Sequence, residues 1–365
     1  MPTLPMFRPR RARCALTARA PAFAPILVLA LAAWAAATPA AAAEPAPACL
    51  GERQPLTVAA QMPYALVSLQ GRNGYMVLDF GASVSSITPA QFQGAADAGP
   101  LLPRAGADEY DDFVFFGSWG RVRLLAQPQP PVQALVTADG AARIQQAGVI
   151  GTDFLSRHVY TLDYRGGHLW RAAAGRFCSD AELHRAGFRP LSTQGYYGAE
   201  PATLACPAAA APPGGCVNIP TLPVRIGPVA AVAQLDTGYD DSRVPGAVNI
   251  NTALFTALQA AGVPMTPRPD IALMLSTCQP GVQERIEAWR LDRPGDFGLV
   301  GTDGRLLPRP AGSPPVTLFV KRTPPAAAVC GGIGTWAQPA AQLGASFVAG
   351  GALVVDPFSS RVWLR

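Results

Sequence analysis

The stretch "VIGTDFLSRHVYTLDYRGGHLW", Val149 to Trp170, recurs near the end of the chain as "QLGASFVAGGALVVDPFSSRVW", Gln342 to Trp363. The two align without a gap at an offset of 193 residues. Gly151 falls on Gly344, Phe154 on Phe347, Asp163 on Asp356 and Trp170 on Trp363. Self-similarity at this distance predicts one architecture built twice. Upstream of each copy, an apolar hairpin runs into an Asp-x-Gly. The first is "GYMVLDFGASVSS", Gly74 to Ser86, and the second is "VAQLDTGYDDS", Val232 to Ser242. Asp79 and Asp236 are 157 residues apart, so the second copy holds 36 additional residues before its closing segment. The Pro- and Gly-rich stretch 293–315 is expected to carry much of that insertion.

Short β-branched runs and turn residues dominate the rest. "YALVSLQGRNGYMVLDF", 64–80, reads as a hairpin turning at Asn73-Gly74. "VRIGPVAAVAQLD", 224–236, reads as another, turning near Gly227-Pro228. Helices are few. Ser179 and Glu182 form a capping-box pattern. Asn251 to Gly262 has an Asn start, helical apolar spacing and a Gly stop. The chain is expected to be mostly β, with a first lobe over 50–172, a connector over 173–218 and a second lobe over 219–365.

The amino terminus has the three-part layout of a secretory signal. Residues 1–25 are Arg-rich without an acid, "ILVLALAAWAA" (26–36) is a short apolar core, and small residues offer cleavage after Ala43. A membrane anchor is the alternative, but a span needs about 20 apolar residues. Residues 1–43 contain five arginines, which equals the whole net charge of +5. The remainder is neutral, with Lys321 as its one lysine. Nucleic acid binding therefore has no electrostatic support. No stable membrane span is expected once the signal is removed, and the location is read as periplasmic or secreted.

Cys49, Cys178, Cys206, Cys216, Cys278 and Cys330 remain after the signal. An even number in an exported chain suggests disulfides. Locality favours Cys206–Cys216 and Cys278–Cys330, leaving Cys49–Cys178. The three histidines, His158, His168 and His184, show no metal-ligand spacing, so no metal and no cofactor is expected. Motifs for nucleotide binding and for a serine nucleophile are missing. A calcium loop starting at Asp236 lacks a spaced acidic ligand.

The order of these elements resembles the aspartic peptidases. An apolar hairpin, Asp-x-Gly, and a later pair of residues before Gly, present twice in one chain, is similar to the two-lobed pepsin plan with retropepsin-type repeats. The resemblance implies a mostly β bilobal fold with two barrel-like lobes. It implies Asp79 and Asp236 as a catalytic pair on one water, supported by Gly81, Ser83, Thr237 and Gly238, and a peptide or protein substrate. Duplication removes the need for a dimer, so a monomer is expected. The hairpin pattern of 111–125 offers Phe116, Ser118 and Trp119 as a lid over the cleft. Two departures stand out. Phe80 occupies a position where the family has a hydroxyl that grips the opposite lobe, and Gln342 replaces an aliphatic residue. Bulk at Phe80 and Tyr239 supports the alternative of a weakened or inactive relative that binds peptides or a protein partner in the same cleft.

Overall fold

The structure is a computed structural model, and it describes residues 47–94, 100–104, 108–127, 134–197, 200–202, 218–307, 309 and 312–365. The expected signal, 1–43, and the Cys206–Cys216 pair lie outside these residues. The architecture is mostly β with short helices, as the residue pattern predicts.

A six-stranded sheet joins the two halves. Its order is Glu52–Pro55, His168–Ala172, Val159–Asp163, Ala352–Asp356, Arg361–Leu364, Arg189–Ser192. The central pair is antiparallel and brings the two copies of the repeat together. Thr161 faces Val354, its own equivalent at the offset of 193, while Tyr160 faces Val355 and Leu162 faces Leu353. A local two-fold axis therefore passes between Thr161 and Val354. The outer strands obey the same symmetry. Arg189–Ser192 lies on the C-lobe side where Glu52–Pro55 lies on the N-lobe side. The second repeat thus begins inside the stretch 173–218. Asp163 and Asp356 end their strands and cap the turns that follow, Asp163 Oδ1 accepting from Gly166 N and Asp356 Oδ1 from Phe358 N.

Each lobe then builds its own sheet on one repeated unit. In the N-lobe, Met62–Leu69 pairs antiparallel with Arg72–Leu78, which pairs parallel with Gln146–Ile150. In the C-lobe, Ile219–Ile226 pairs with Val229–Leu235, which pairs parallel with Ala340–Leu343. The insertion adds Phe297–Val300 to the C-lobe sheet against Ile219–Ile226.

The first hairpin does not turn at Asn73-Gly74. It turns at Gln70-Gly71, both with positive φ (48° and 73°). Asn73 instead exchanges both backbone hydrogen bonds with Gln93. Gly74 is needed for space: a Cβ there would lie 2.6 Å from Ala147 Cβ and 2.8 Å from the Phe92 ring. Other local expectations hold. The second hairpin turns at Gly227-Pro228, the capping box of Ser179 and Glu182 is formed, and Asn251 caps helix Thr252–Ala260. Disulfide Cys278–Cys330 is present as locality suggested, and so is Cys49–Cys178, the pair left by elimination.

Candidate active site

Both Asp-x-Gly loops leave the end of a buried strand, and the same three backbone bonds shape each of them. Asp79 N donates to Ile150 O (2.9 Å) and Asp236 N to Leu343 O (3.0 Å). Ala82 N closes a turn on Asp79 O, as Tyr239 N does on Asp236 O. Thr152 N donates to Ala82 O, as Ala345 N does to Tyr239 O. The segments Val149-Ile150-Gly151 and Gln342-Leu343-Gly344 therefore hold the two loops from below.

The loops meet across the two-fold. The Asp79 and Asp236 carboxyls are within hydrogen-bond reach of each other. Asp79 Oδ1 accepts from Gly81 N (2.6 Å) and, across the lobes, from Gly238 N (3.3 Å). The glycines owe their identity to this approach. A Cβ on Gly81 would lie 2.4 Å from Asp236 Cγ, and one on Gly238 would lie 2.4 Å from Asp79 Cγ.

Burial raises both carboxyls above the ordinary carboxylate range, and the charge of Asp79 raises Asp236 further. Two carboxylates in contact in a desolvated place cannot both ionise cheaply, so the pair retains one proton to higher pH than a lone carboxyl does. Such a pair can accept a proton from water with one member and donate a proton with the other.

Thr237, fully buried, ties the lobes together. Its Oγ1 accepts from Phe80 N (3.1 Å) and donates to Leu78 O (2.6 Å). The Phe80 position contributes its backbone N–H to this grip, and its ring is packed in the core at 2% exposure. Gln234 Nε2 adds a second cross-lobe bond, to Gly81 O (3.2 Å). Replacing Thr237 by Val should leave Phe80 N–H and Leu78 C=O unpaired. The expected loss is about 1–3 kcal/mol for each group, read as a lower denaturant midpoint at unchanged m-value.

Phe80→Thr supplies a hydroxyl but empties a core site. It should destabilise by about 3 kcal/mol or more in a denaturant titration.

Residues missed in the sequence reading brace the loops from outside. In the N-lobe, Ser85 Oγ donates to Asp153 Oδ1 (2.6 Å) and accepts from Gly151 N (2.9 Å). In the C-lobe, Asp241 takes the acid's place and Ser346 the hydroxyl's: Ser346 N donates to Asp241 Oδ1 (3.0 Å) and Ser346 Oγ to Oδ2. The acid and the hydroxyl have changed sides between repeats. Aligning Asp153 with Ser346 contains this signal, because one partner of each pair is visible there. Ser83 lies in the same loop, partly exposed, and the bracing falls to Ser85.

The expected lid residues are brought elsewhere. Trp119 packs on Phe154 and His158, and Phe116 on Tyr160 and under Arg171. Ser118 Oγ accepts from Gly120 N within its own turn. The hairpin is anchored through Leu69 and Ser68, at the end of strand Met62–Leu69 remote from Asp79. Aromatic packing on neighbouring rings accounts for the placement of Phe116 and Trp119. Phe116 is thus placed against Tyr160 of the inter-lobe sheet and Trp119 against Phe154 and His158, and neither these ring contacts nor the Ser118 hydrogen bond involves the carboxyl pair. The histidines are likewise packed on aromatic rings, His158 on Trp119, His168 on Trp170 and His184 on Trp363. A cavity of about 560 Å³ is lined by Phe347, Leu364 and Arg309, among others, and the carboxyl pair is not part of its wall.

No protein-family model matches the chain, and no curated protein matches it. Among solved structures it is similar to an aspartic proteinase from Irpex lacteus, with 11% identity and a TM-score of 0.38 over 86% of this chain and 96% of that one.

Proposed function

We propose that this chain is an exported aspartic endopeptidase that hydrolyses peptide bonds with a water activated by Asp79 and Asp236. The observation that carries the reading is the contact of the two carboxyls on the local two-fold, each with a glycine of the opposite lobe against it. A water held between them loses a proton to the ionised carboxyl as its oxygen attacks the scissile carbonyl carbon. The protonated carboxyl gives its proton to the carbonyl oxygen, forming a neutral tetrahedral diol. The diol collapses when the protonated carboxyl passes its proton to the amide nitrogen, the ionised carboxyl takes a proton from a diol hydroxyl, and the C–N bond breaks to leave a carboxylic acid and an amine. Every proton taken up in one step is returned in the next, so the pair ends in its starting state.

Thr237 and the two glycines set the separation of the carboxyls, and Ser85–Asp153 and Asp241–Ser346 hold the loops rigid. Two disulfides support an oxidising compartment. Among the described residues no helix is long and apolar enough to cross a membrane.

The test is digestion of an unfolded protein across pH 3–7 by the chain lacking residues 1–43. Cleavage by the parent and none by Asp236→Asn supports the reading. Equal cleavage by both overturns it. Binding of the same polypeptide without cleavage by either would favour a peptide-binding role for the cleft.

A further inference from the structure

The two repeats differ most in polarity directly under the carboxyl pair. In the N-lobe, Val149 pairs with Val77 one step before Ile150 and Leu78. The equivalents in the C-lobe are Gln342 and Gln234, paired in the same parallel register before Leu343 and Leu235. Two carboxamides thus replace two valines in a place where unpaired polar groups are costly. Both are satisfied. Gln234 Nε2 donates across the lobes to Gly81 O. Gln342 Nε2 donates to Asp236 Oδ2, and Gln342 Oε1 accepts from Asn249 Nδ2 (2.9 Å). Asn249 is 5% exposed and sits opposite Gln342 in the antiparallel register. The amide orientation follows from the chemistry: a carboxylate only accepts, so the nitrogen of Gln342 faces Asp236 and its oxygen faces the donor on Asn249.

The carboxyls are therefore unequal in spite of the two-fold. Asp79 Oδ1 is held by backbone N–H groups of both lobes. Asp236 Oδ2 is held by a side chain, while its Oδ1 makes no hydrogen bond of good geometry and has only the Gly238 backbone N–H of its own loop beside the carboxyl.

We propose that Gln342, braced by Asn249, is a positioning residue that commits Asp236 Oδ2 to the protein and leaves Oδ1 as the oxygen that meets Asp79 and the attacking water. The inference deepens the peptidase reading and rests on it for the word "attacking"; the orientation of the carboxyl stands on its own geometry.

A consequence concerns pH. An N–H donated to a carboxylate favours its ionised form, so Gln342 draws the working range of the pair toward acid, against the burial that raises it. The titratable groups facing Asp236 are Asp79 from the N-lobe loop and Tyr239 from its own loop; Tyr239 in turn faces Asp240 and Asp241, and Tyr64 from strand Met62–Leu69 faces Asp240. These are acids or phenols, so Gln342 is the side-chain donor that offsets them, with the Gly238 backbone N–H beside it.

The experiment is a ¹³C carboxyl NMR titration of the full folded chain labelled at aspartate, with the Asp236 signal assigned by its loss in Asp236→Asn. Gln342→Met keeps the volume and removes the donor. The Asp236 midpoint should rise by about 1–2 pH units, and where cleavage is measured its pH profile should move the same way. Asn249→Leu frees the carboxamide without touching the carboxyl and should give a smaller shift in the same direction. A changed melting temperature with an unmoved or lowered midpoint in both variants would overturn the proposal. A raised midpoint in a chain that cleaves nothing would leave Gln342 in its role and overturn the peptidase reading alone.

Discussion

Asp236→Asn is expected to lose about 10²–10⁴-fold of the cleavage rate and to gain stability at neutral pH. The loss follows because an amide neither takes a proton from water nor supplies one to a carbonyl oxygen. The gain follows from the burial of the pair. Asp79 and Asp236 are both raised above the ordinary value of 3.8 in the folded protein. A group raised on folding contributes stability below its unfolded value and loses it as pH climbs through the folded value. The parent should therefore weaken from about pH 4 upward, as charge is forced onto the contact between the lobes. Asp236→Asn removes the like-charge partner and preserves an acceptor for Gln342. Its advantage should be widest near pH 7 and vanish near pH 3. Melting temperatures across that range report it, each kcal/mol moving the midpoint by roughly 2–4 °C in a chain of this size. A variant that is less stable than the parent at pH 7 would contradict the placement of the two carboxyls.

Gly81→Ala and Gly238→Ala should each damage the aspartate of the other lobe. The added Cβ would stand 2.4 Å from Cγ of Asp236 in the first case and of Asp79 in the second. Neither contact can relax without parting the loops or rotating a carboxyl. Overpacking of this kind costs about 1–3 kcal/mol, and displacement of a reacting group by about 1 Å reduces a rate on the order of 10²-fold. Gly295→Ala is the control, since a Cβ there meets nothing within 4 Å. The decisive readout is the crossed pattern: Gly81→Ala should shift the Asp236 carboxyl signal more than that of Asp79, and Gly238→Ala the reverse. Equal effects from all three alanines would show that space between the loops is not what these glycines provide.

Most of the architecture was legible in the residues because it is written twice. The offset of 193 residues identified the closing segments, and the shared Asp-x-Gly identified the loops. The braces were harder to see. Ser85–Asp153 and Asp241–Ser346 carry one function with acid and hydroxyl exchanged, so position-by-position comparison finds no identity. The Asn73-Gly74 turn misled because a local signal was outweighed by packing: Gly74 makes room for Phe92 and Ala147, and the turn moved to Gln70-Gly71. The ring contacts of Phe116 and Trp119 were not legible for a similar reason, since they join residues far apart in the chain.

The amino-acid order alone determined the β character, the duplication, the pairing of Cys278 with Cys330 by proximity, and which two aspartates are equivalent. These depend on local propensity and on repetition along the chain. Only the tertiary structure decided that Thr161 faces its own equivalent, that the Phe80 ring is buried while its N–H reaches Thr237, and that Gln342 takes hold of Asp236. Those facts depend on register between strands far apart in the chain, and a shift of one residue would send every side chain to the opposite face.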